Sequence, residues 1–446
     1  MSDRTALRKQ LWAMAMPLMA SNLSQTMISM VDTLMVGHLP ESEPLAAMGL
    51  SRVIFLVVFL VISSPFMGIQ ALTARRLGEG KPDDAGRVLL NGLAMAGLIG
   101  LVAGGLGLLL AEPVVFALSD DTKVASLAAR YLVIRWGGAV VVTLLWAFKG
   151  FLYGRGETGF DMRVTLVVNL LNVGLNVVFI WGAFGIPAMG MPGAALASVL
   201  ATTIGLTLMA RRVFSARYRK VALPRGGPFW NMRDVAGIIR LSAPRAVQAV
   251  AFGASIFFFE RVEASTGPVG LAASTVIWSF FGASVLVAIA LGASAATMAG
   301  HALGAGNPQR AEAAAEEAIR QGVMLTTGIA VLVVAFPRAI LSLFTDDPAV
   351  IEAGTAPLRL VSTFMFVDCV GIILGRVLSA AGCAIYVMLA EIVVSFGCML
   401  PGAWLMSHLF PGNLLAMWSA WVIYICCWHG AMMAKFVRGG WKHIRI

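Results

Sequence analysis

Runs of about twenty predominantly apolar residues, separated by short polar or Pro/Gly breaks, recur along the chain from end to end. They predict helices near 11–36, 47–74, 88–111, 126–150, 163–184 and 191–213. A second set is predicted near 237–263, 270–298, 317–343, 355–378, 385–408 and 413–436. About twenty helical residues span the ~30 Å hydrocarbon core of a bilayer, so twelve transmembrane helices of an all-α integral membrane protein are expected. The first run follows Arg4, Arg8 and Lys9, as a secretory signal would. It is too long for a signal segment and carries Asp32, so it reads as the first membrane helix.

The two sets repeat one another. Leu77-Gly78-Glu79-Gly80-Lys81-Pro82 recurs as Leu303-Gly304-Ala305-Gly306-Asn307-Pro308, an offset of 226 residues, each time after the second helix of its set. The same offset carries Leu152 onto Leu378 and Gly156 onto Gly382, and one close to it carries Pro17 onto Pro244. Six helices per half is an even number, so both halves enter the membrane from the same side and the repeat is parallel, about an axis along the membrane normal. The expected organisation is an N-lobe over 1–213 with helices 1–6, an inter-lobe linker over 214–235 containing Pro224, Gly226, Gly227 and Pro228, and a C-lobe over 236–446 with helices 7–12.

Composition agrees with a membrane solvent: 59% of residues are hydrophobic and 13% charged, against roughly half and a quarter in soluble domains. The net charge of +10 is distributed over short loops rather than one soluble face, so it argues for topology and against a nucleic-acid partner. With alternating sides, about 26 of the 33 basic residues fall on the side of the N-terminus, including Arg211, Arg212, Arg217, Arg219 and Lys220. Glu41, Glu43, Asp120, Asp121, Asp346 and Asp347 lie opposite. A multi-pass protein with both termini cytoplasmic is therefore expected, and the missing targeting extension reads as the cell inner (plasma) membrane. The five cysteines, Cys369, Cys383, Cys398, Cys426 and Cys427, sit in or beside apolar segments without metal or disulfide spacing. Gly78-x-Gly80 lacks the strand of a nucleotide fold, and no hydrolase, kinase or zinc pattern is present, so no enzymatic role is expected.

Carboxylates inside helices are costly, by about 2.5 kcal/mol or more at the bilayer centre. Four fall there: Asp32, Glu260, Asp368 and Glu391. Ser21, Asn22, Gln25 and Ser29 share a helical face with Asp32, and Asn169, Asn172 and Asn176 form a stripe of amides at i, i+3 and i+7 in helix 5. A carboxylate facing amide oxygens suits a hard cation such as Na⁺, or the acid takes up a proton, or the groups simply bond helices together. Glu260 and Asp368, at a depth similar to Asp32, could share one cation or proton. Arg261 is adjacent to Glu260 in sequence but points to another face. Glu391 has no polar stripe around it and reads as structural or snorkelling.

The residues now resemble a known family, the multidrug and toxic compound extrusion (MATE) transporters. The resemblance runs over nearly the whole chain and rests on Met30-Val31-Asp32-Thr33-Leu34-Met35-Val36-Gly37-His38-Leu39, Leu152-Tyr153-Gly154-Arg155-Gly156-Glu157-Thr158, Asn172-Val173-Gly174-Leu175-Asn176-Val177-Val178-Phe179-Ile180-Trp181-Gly182 and Gly193-Ala194-Ala195-Leu196-Ala197. It implies two six-helix lobes in a V that export amphipathic, often cationic organic compounds in exchange for Na⁺ or H⁺. It further implies a coupling-ion and substrate site at Asp32, Asn172, Asn176 and Gln25, and a C-lobe coupling site at Glu260 and Asp368, similar to the NorM-type branch. The partners are then small amphipathic substrates and the lipid bilayer, acting on a monomer, with no cofactor beyond the coupling cation. The run Leu378-Ser379-Ala380-Ala381-Gly382-Cys383-Ala384 departs from the family's Leu-Arg-Gly-x-Gly-Asp-Thr, as do Gly371, where a glutamine is common, and Arg245 after Pro244. A lipid-linked precursor flippase of the same superfamily is the nearest rival, and a passive channel or structural membrane protein the second. A flippase would need a larger, more basic cavity than the few Arg and Lys inside these helices supply.

Overall fold

A computed structural model of the chain describes residues 2–216, 223, 230–444 and 446. The described residues form twelve helical passes. They are α1 (Ser2–Gly37), α2 (Glu43–Ile62 continued by Pro65–Gly78), α3 (Pro82–Leu118), α4 (Thr122–Gly137 continued by Ala139–Gly154), α5 (Thr158–Trp181) and α6 (Met191–Val213). There follow α7 (Met232–Glu263), α8 (Gly267–Gly304), α9 (Pro308–Ala335), α10 (Pro348–Thr363 continued by Met365–Leu378), α11 (Ala384–Val394 through a wide turn at Ser395–Met399 to Leu400–Leu409) and α12 (Leu414–Val437).

Judged by length and apolarity alone, eight stretches among the described residues could cross a membrane, or nine with the bent pair of α4. Two of these stretches hold two helices each, α7 with α8 across 73 residues and the second segment of α10 with α11 across 45, far more than the ~20 one span needs. In each case the chain turns between the two helices, at Gly267 (φ +84°) and at Gly382 (φ +104°). Not among these stretches is α1, whose apolar face is diluted by Ser21, Asn22, Ser24, Gln25, Thr26 and Ser29. A helix that keeps so polar a face is suited to protein or water on that side, not lipid.

The offset of 226 residues is written into the backbone. Gly80 and Gly306 close the same turn with φ of +72° and +71°, a left-handed conformation in which only glycine is free of strain. Asp121 caps α4 by accepting from the Lys123 and Val124 amides, and Asp347, its counterpart, caps α10 by accepting from the Ala349 amide. The fourth pass of the first half is interrupted at Gly138, where it bends by 49°. The fourth pass of the second half is interrupted at the matching Phe364. Sequence periodicity reads both as unbroken, because apolar residues continue through each break.

Several helix ends also differ from the sequence reading, those of helices 9 and 5 among them. Helix 9, expected to run to 343, ends at Ala335 because Phe336 precedes Pro337 and leaves the helical region (φ −125°, ψ 46°), after which Pro337–Leu341 makes a single separate turn. Helix 5 begins at Thr158 rather than 163 and so gains Asp161 and its whole polar first turn.

The chain forms two compact units, one of residues 16–246 and one of 1–15 with 247–446. The expected linker residues Arg217, Arg219, Lys220, Pro224, Gly226, Gly227 and Pro228 lie outside the described residues. In the first unit, α4 lies directly on the second segment of α2: a Cβ on Gly154 would come within 2.7 Å of the Gln70 carbonyl and of the Thr73 Cβ. Such glycine contacts let helix backbones meet where lipid supplies no hydrophobic force between them. In the second unit the core is aromatic, with Phe259, Trp278, Trp418 and Trp421 in edge-to-face or tilted contact and Trp278 to Trp421 at 4.7 Å between ring centroids.

Candidate coupling and substrate site

In the first unit the polar face of α1 meets the amide stripe of α5. Asn169, Asn172 and Asn176 are all buried, and the Asn176 side chain is wholly inaccessible. Asn176 Nδ2 donates to Asp32 Oδ1 at 2.6 Å, and Asn169 Nδ2 donates to Ser24 Oγ at 2.6 Å. The Asn172 amide is satisfied on both ends when its nitrogen faces the acid, 2.9 Å from Asp32 Oδ1, and its oxygen accepts from the Ser198 hydroxyl of α6 at 3.2 Å. Two amide nitrogens then donate to one carboxylate oxygen, so the asparagines present donors to Asp32 rather than the amide oxygens the sequence reading gave them.

One acceptor is left over. The Asn176 Oδ1 atom is buried with no hydrogen-bond donor among the described residues. A buried orphan acceptor beside the half-buried Asp32 carboxylate costs free energy until a donor or a cation reaches it. Gln25, also expected in this site, is exposed on α1. A group the sequence reading missed stands nearby: Arg135 of α4, a turn beyond Tyr131, is close enough to act on the Asp32 charge. Its guanidinium lies 4.3 Å from the Phe55 ring centroid, and its Nε has no hydrogen-bond acceptor. The i, i+4 spacing of Tyr131 and Arg135 was the available signal.

Further along α4 and α5 lies a buried ion pair, Lys149 Nζ to Asp161 Oδ1 at 3.0 Å, with Tyr153 donating to Asp161 Oδ2 at 2.6 Å. Asp161 is fully buried and already has its cation, which gives it the character of a helix fastener.

In the second unit the acids are arranged differently from the sequence expectation. Glu260 is exposed, and the charge it acts on is Glu263, one turn along α7. Glu263 is buried, accepting from the Ser274 hydroxyl at 2.8 Å and the Trp278 indole at 3.1 Å within the aromatic core. Asp368 in α10 is 9% exposed, and the acid acting on it is Glu391 rather than Glu260. Glu391 is 3% exposed and does not snorkel. It accepts from Gln248 Nε2 of α7 at 3.2 Å, Ser395 Oγ at 2.9 Å and Tyr424 Oη of α12 at 2.7 Å. Two of these three donors come from other helices, 143 and 33 residues away, where periodicity along α11 cannot show them; Ser395 alone lies on α11, one turn along.

Comparison with known proteins places this architecture. A crystal structure of MATE in the bent conformation superposes with a TM-score of 0.88 at 21% identity, covering 98% of this chain and 97% of that one. A MOP superfamily transporter from Pyrococcus furiosus superposes at 0.87 and 20% identity, covering 97% and 95%. The fold is thus that of the MATE transporters. The family model MatE matches residues 17–178 and 245–405, well over half of the sequence, and the chain belongs to that family. Among its relatives, the probable multidrug resistance protein NorM of Thermotoga maritima is 25% identical over 443 residues, 98% of this chain and 93% of that protein. The multidrug resistance protein PmpM of Pseudomonas aeruginosa is 26% identical over 366 residues, 81% and 76% of the two chains.

Proposed function

We propose that this chain is a secondary antiporter of the inner (plasma) membrane, both termini cytoplasmic, which exports amphipathic, often cationic organic compounds in exchange for Na⁺ or H⁺. The names of its relatives support multidrug efflux as the transported class, and the bias of basic loops supports the orientation. The observation that carries the coupling is Asp32: a membrane carboxylate gripped by Asn176 at 2.6 Å, beside an amide oxygen that has no donor. An entering cation satisfies both the carboxylate and that oxygen, and its charge shifts the balance between two conformations of the protein. Alternating access follows when one conformation takes the cation from outside and the other takes substrate from inside.

The direct test is Asp32→Asn, which keeps the shape and the hydrogen-bonding reach but removes the charge. Efflux of ethidium from cells should fall to the level of cells lacking the protein, while the amount in the membrane is unchanged. Efflux at the wild-type rate by this variant would remove Asp32 from the coupling role.

A further inference from the structure

The repeat relates two clusters of polar groups. At the offset of 226 residues, Gln248, Ser395 and Tyr424 occupy the positions of Asn22, Asn169 and Ser198. Asn169 and Ser198 belong to the polar network between α1, α5 and α6 of the first unit, and Asn22 lies on the polar face of α1. The second unit therefore keeps polar groups on the same three helices of its repeat, α7, α11 and α12, and adds an acid, Glu391, at the centre.

The halves differ in what balances the charge. Thr165, the counterpart of Glu391, lies 3.5 Å from the Lys149 ammonium, which is paired with Asp161. In the second half Lys149 and Asp161 are replaced by Gly375 and Val387. A Cβ at Gly375 would lie 3.9 Å from the Val387 side chain, so apolar contact takes the place of the ion pair. Among the described residues no lysine or arginine forms an ion pair with Glu391.

The same contact brings a second carboxylate to the site. α10 and α11 run antiparallel through the turn at 379–383. Two turns from Gly375 towards the start of α10 is Asp368, and one turn from Val387 along α11 is Glu391, so both acids lie on the same side of the contact. Asp368 is nine-tenths buried and accepts no side-chain hydrogen bond among the described residues. Other titratable groups facing this space are the buried Cys369 of α10, beside Asp368, and Tyr424 and His429 of α12, the last reaching the Val367 backbone. Next to Glu391 the backbone opens into the wide helical turn of Ser395–Met399, a distortion frequent at functional sites.

We propose that Glu391, set by Gln248, Ser395 and Tyr424, binds the coupling cation of the second unit together with Asp368, and that Glu260 is not part of this site. Two buried acids that form no ion pair among the described residues make a site for a mobile cation. The hydroxyls of Ser395 and Tyr424 can rotate from donating to accepting, so the network stays satisfied whether the cation is Na⁺ or a proton on the acid.

The inference rests on the antiport reading, and its test keeps the two apart. Purified protein in proteoliposomes is driven by an imposed Na⁺ or pH gradient with ethidium as probe. If neither gradient drives the wild type, the antiport reading itself fails. If one does, Glu391→Gln should raise the ion concentration for half-maximal transport at least about tenfold, as expected when a charged partner of a bound ion is removed. Glu260→Gln should leave that concentration within about twofold, a change of less than 0.5 kcal/mol. Wild-type ion dependence for Glu391→Gln, or a tenfold shift for Glu260→Gln, overturns the assignment. Should Glu391→Gln fail to fold, dicyclohexylcarbodiimide labelling of the wild type, read by mass spectrometry, decides instead. Labelling of Glu391 that the driving ion suppresses supports the site. No labelling, or labelling indifferent to the ion, overturns it.

Discussion

At the scale of single residues, buried charges in this protein divide by whether they own a partner. Lys149 and Asp161 neutralise each other at 3.0 Å, and Tyr153 donates to the acid's other oxygen. Removing one partner strands the other, so Lys149→Met should lower the stability of the detergent-solubilised protein by about 3–5 kcal/mol. Lys149→Met combined with Asp161→Leu should recover most of that loss, because a well-packed apolar pair avoids desolvating two charges. Thermal melts of the single and double variants check this, and equal destabilisation of the two would contradict it. Among the described residues neither Asp32 nor Glu391 forms an ion pair, which is what makes them candidates for a mobile ion. The sequence exposed Asp32 because its polar neighbours follow one face of one helix. It concealed Glu391 because Gln248 and Tyr424 approach from helices distant in the chain, and it did not show that Glu260 is exposed, since no periodicity records a residue's surroundings.

At the scale of elements, the passes were legible from apolar run length, since that length is fixed by the bilayer. Interruptions inside a pass were not, because Gly138 and Phe364 sit in continuously apolar sequence, whereas the stop before Pro337 carried a local signal that the run of hydrophobic residues masked. The ends of the fourth pass in each half depend on the aspartate caps, so Asp121→Ala should cost about 1 kcal/mol. A melting measurement in the same detergent would show it, and an unchanged melt would mean that the cap is dispensable. The contact of α4 with α2 is less forgiving. Gly154→Leu places side-chain atoms where the Gln70 carbonyl stands within 2.7 Å of a Cβ, and backbone cannot yield as a flexible side chain does. The expected outcome is poor accumulation in the membrane, checked by immunoblot against Gly159→Leu, a position with open space around it.

At the scale of the whole molecule, a repeat visible in six residues around Gly80 and Gly306 extends to turns, caps and helix breaks, all at one offset. Two units built on the same plan carry intramembrane acids in different places, the half-buried Asp32 on the first helix of one and the buried Glu391 on the fifth helix of the other. A structural scaffold has no use for carboxylates kept without a counter-ion, and a passive pore has no use for an ion that must bind before substrate leaves. The central claim is therefore coupling, and its most direct measurement is ethidium movement against its own gradient in proteoliposomes holding only this protein. Uphill movement should start when a Na⁺ or pH gradient is imposed and stop when the matching ionophore collapses it. Movement only down the ethidium gradient, indifferent to either ion, would contradict the account.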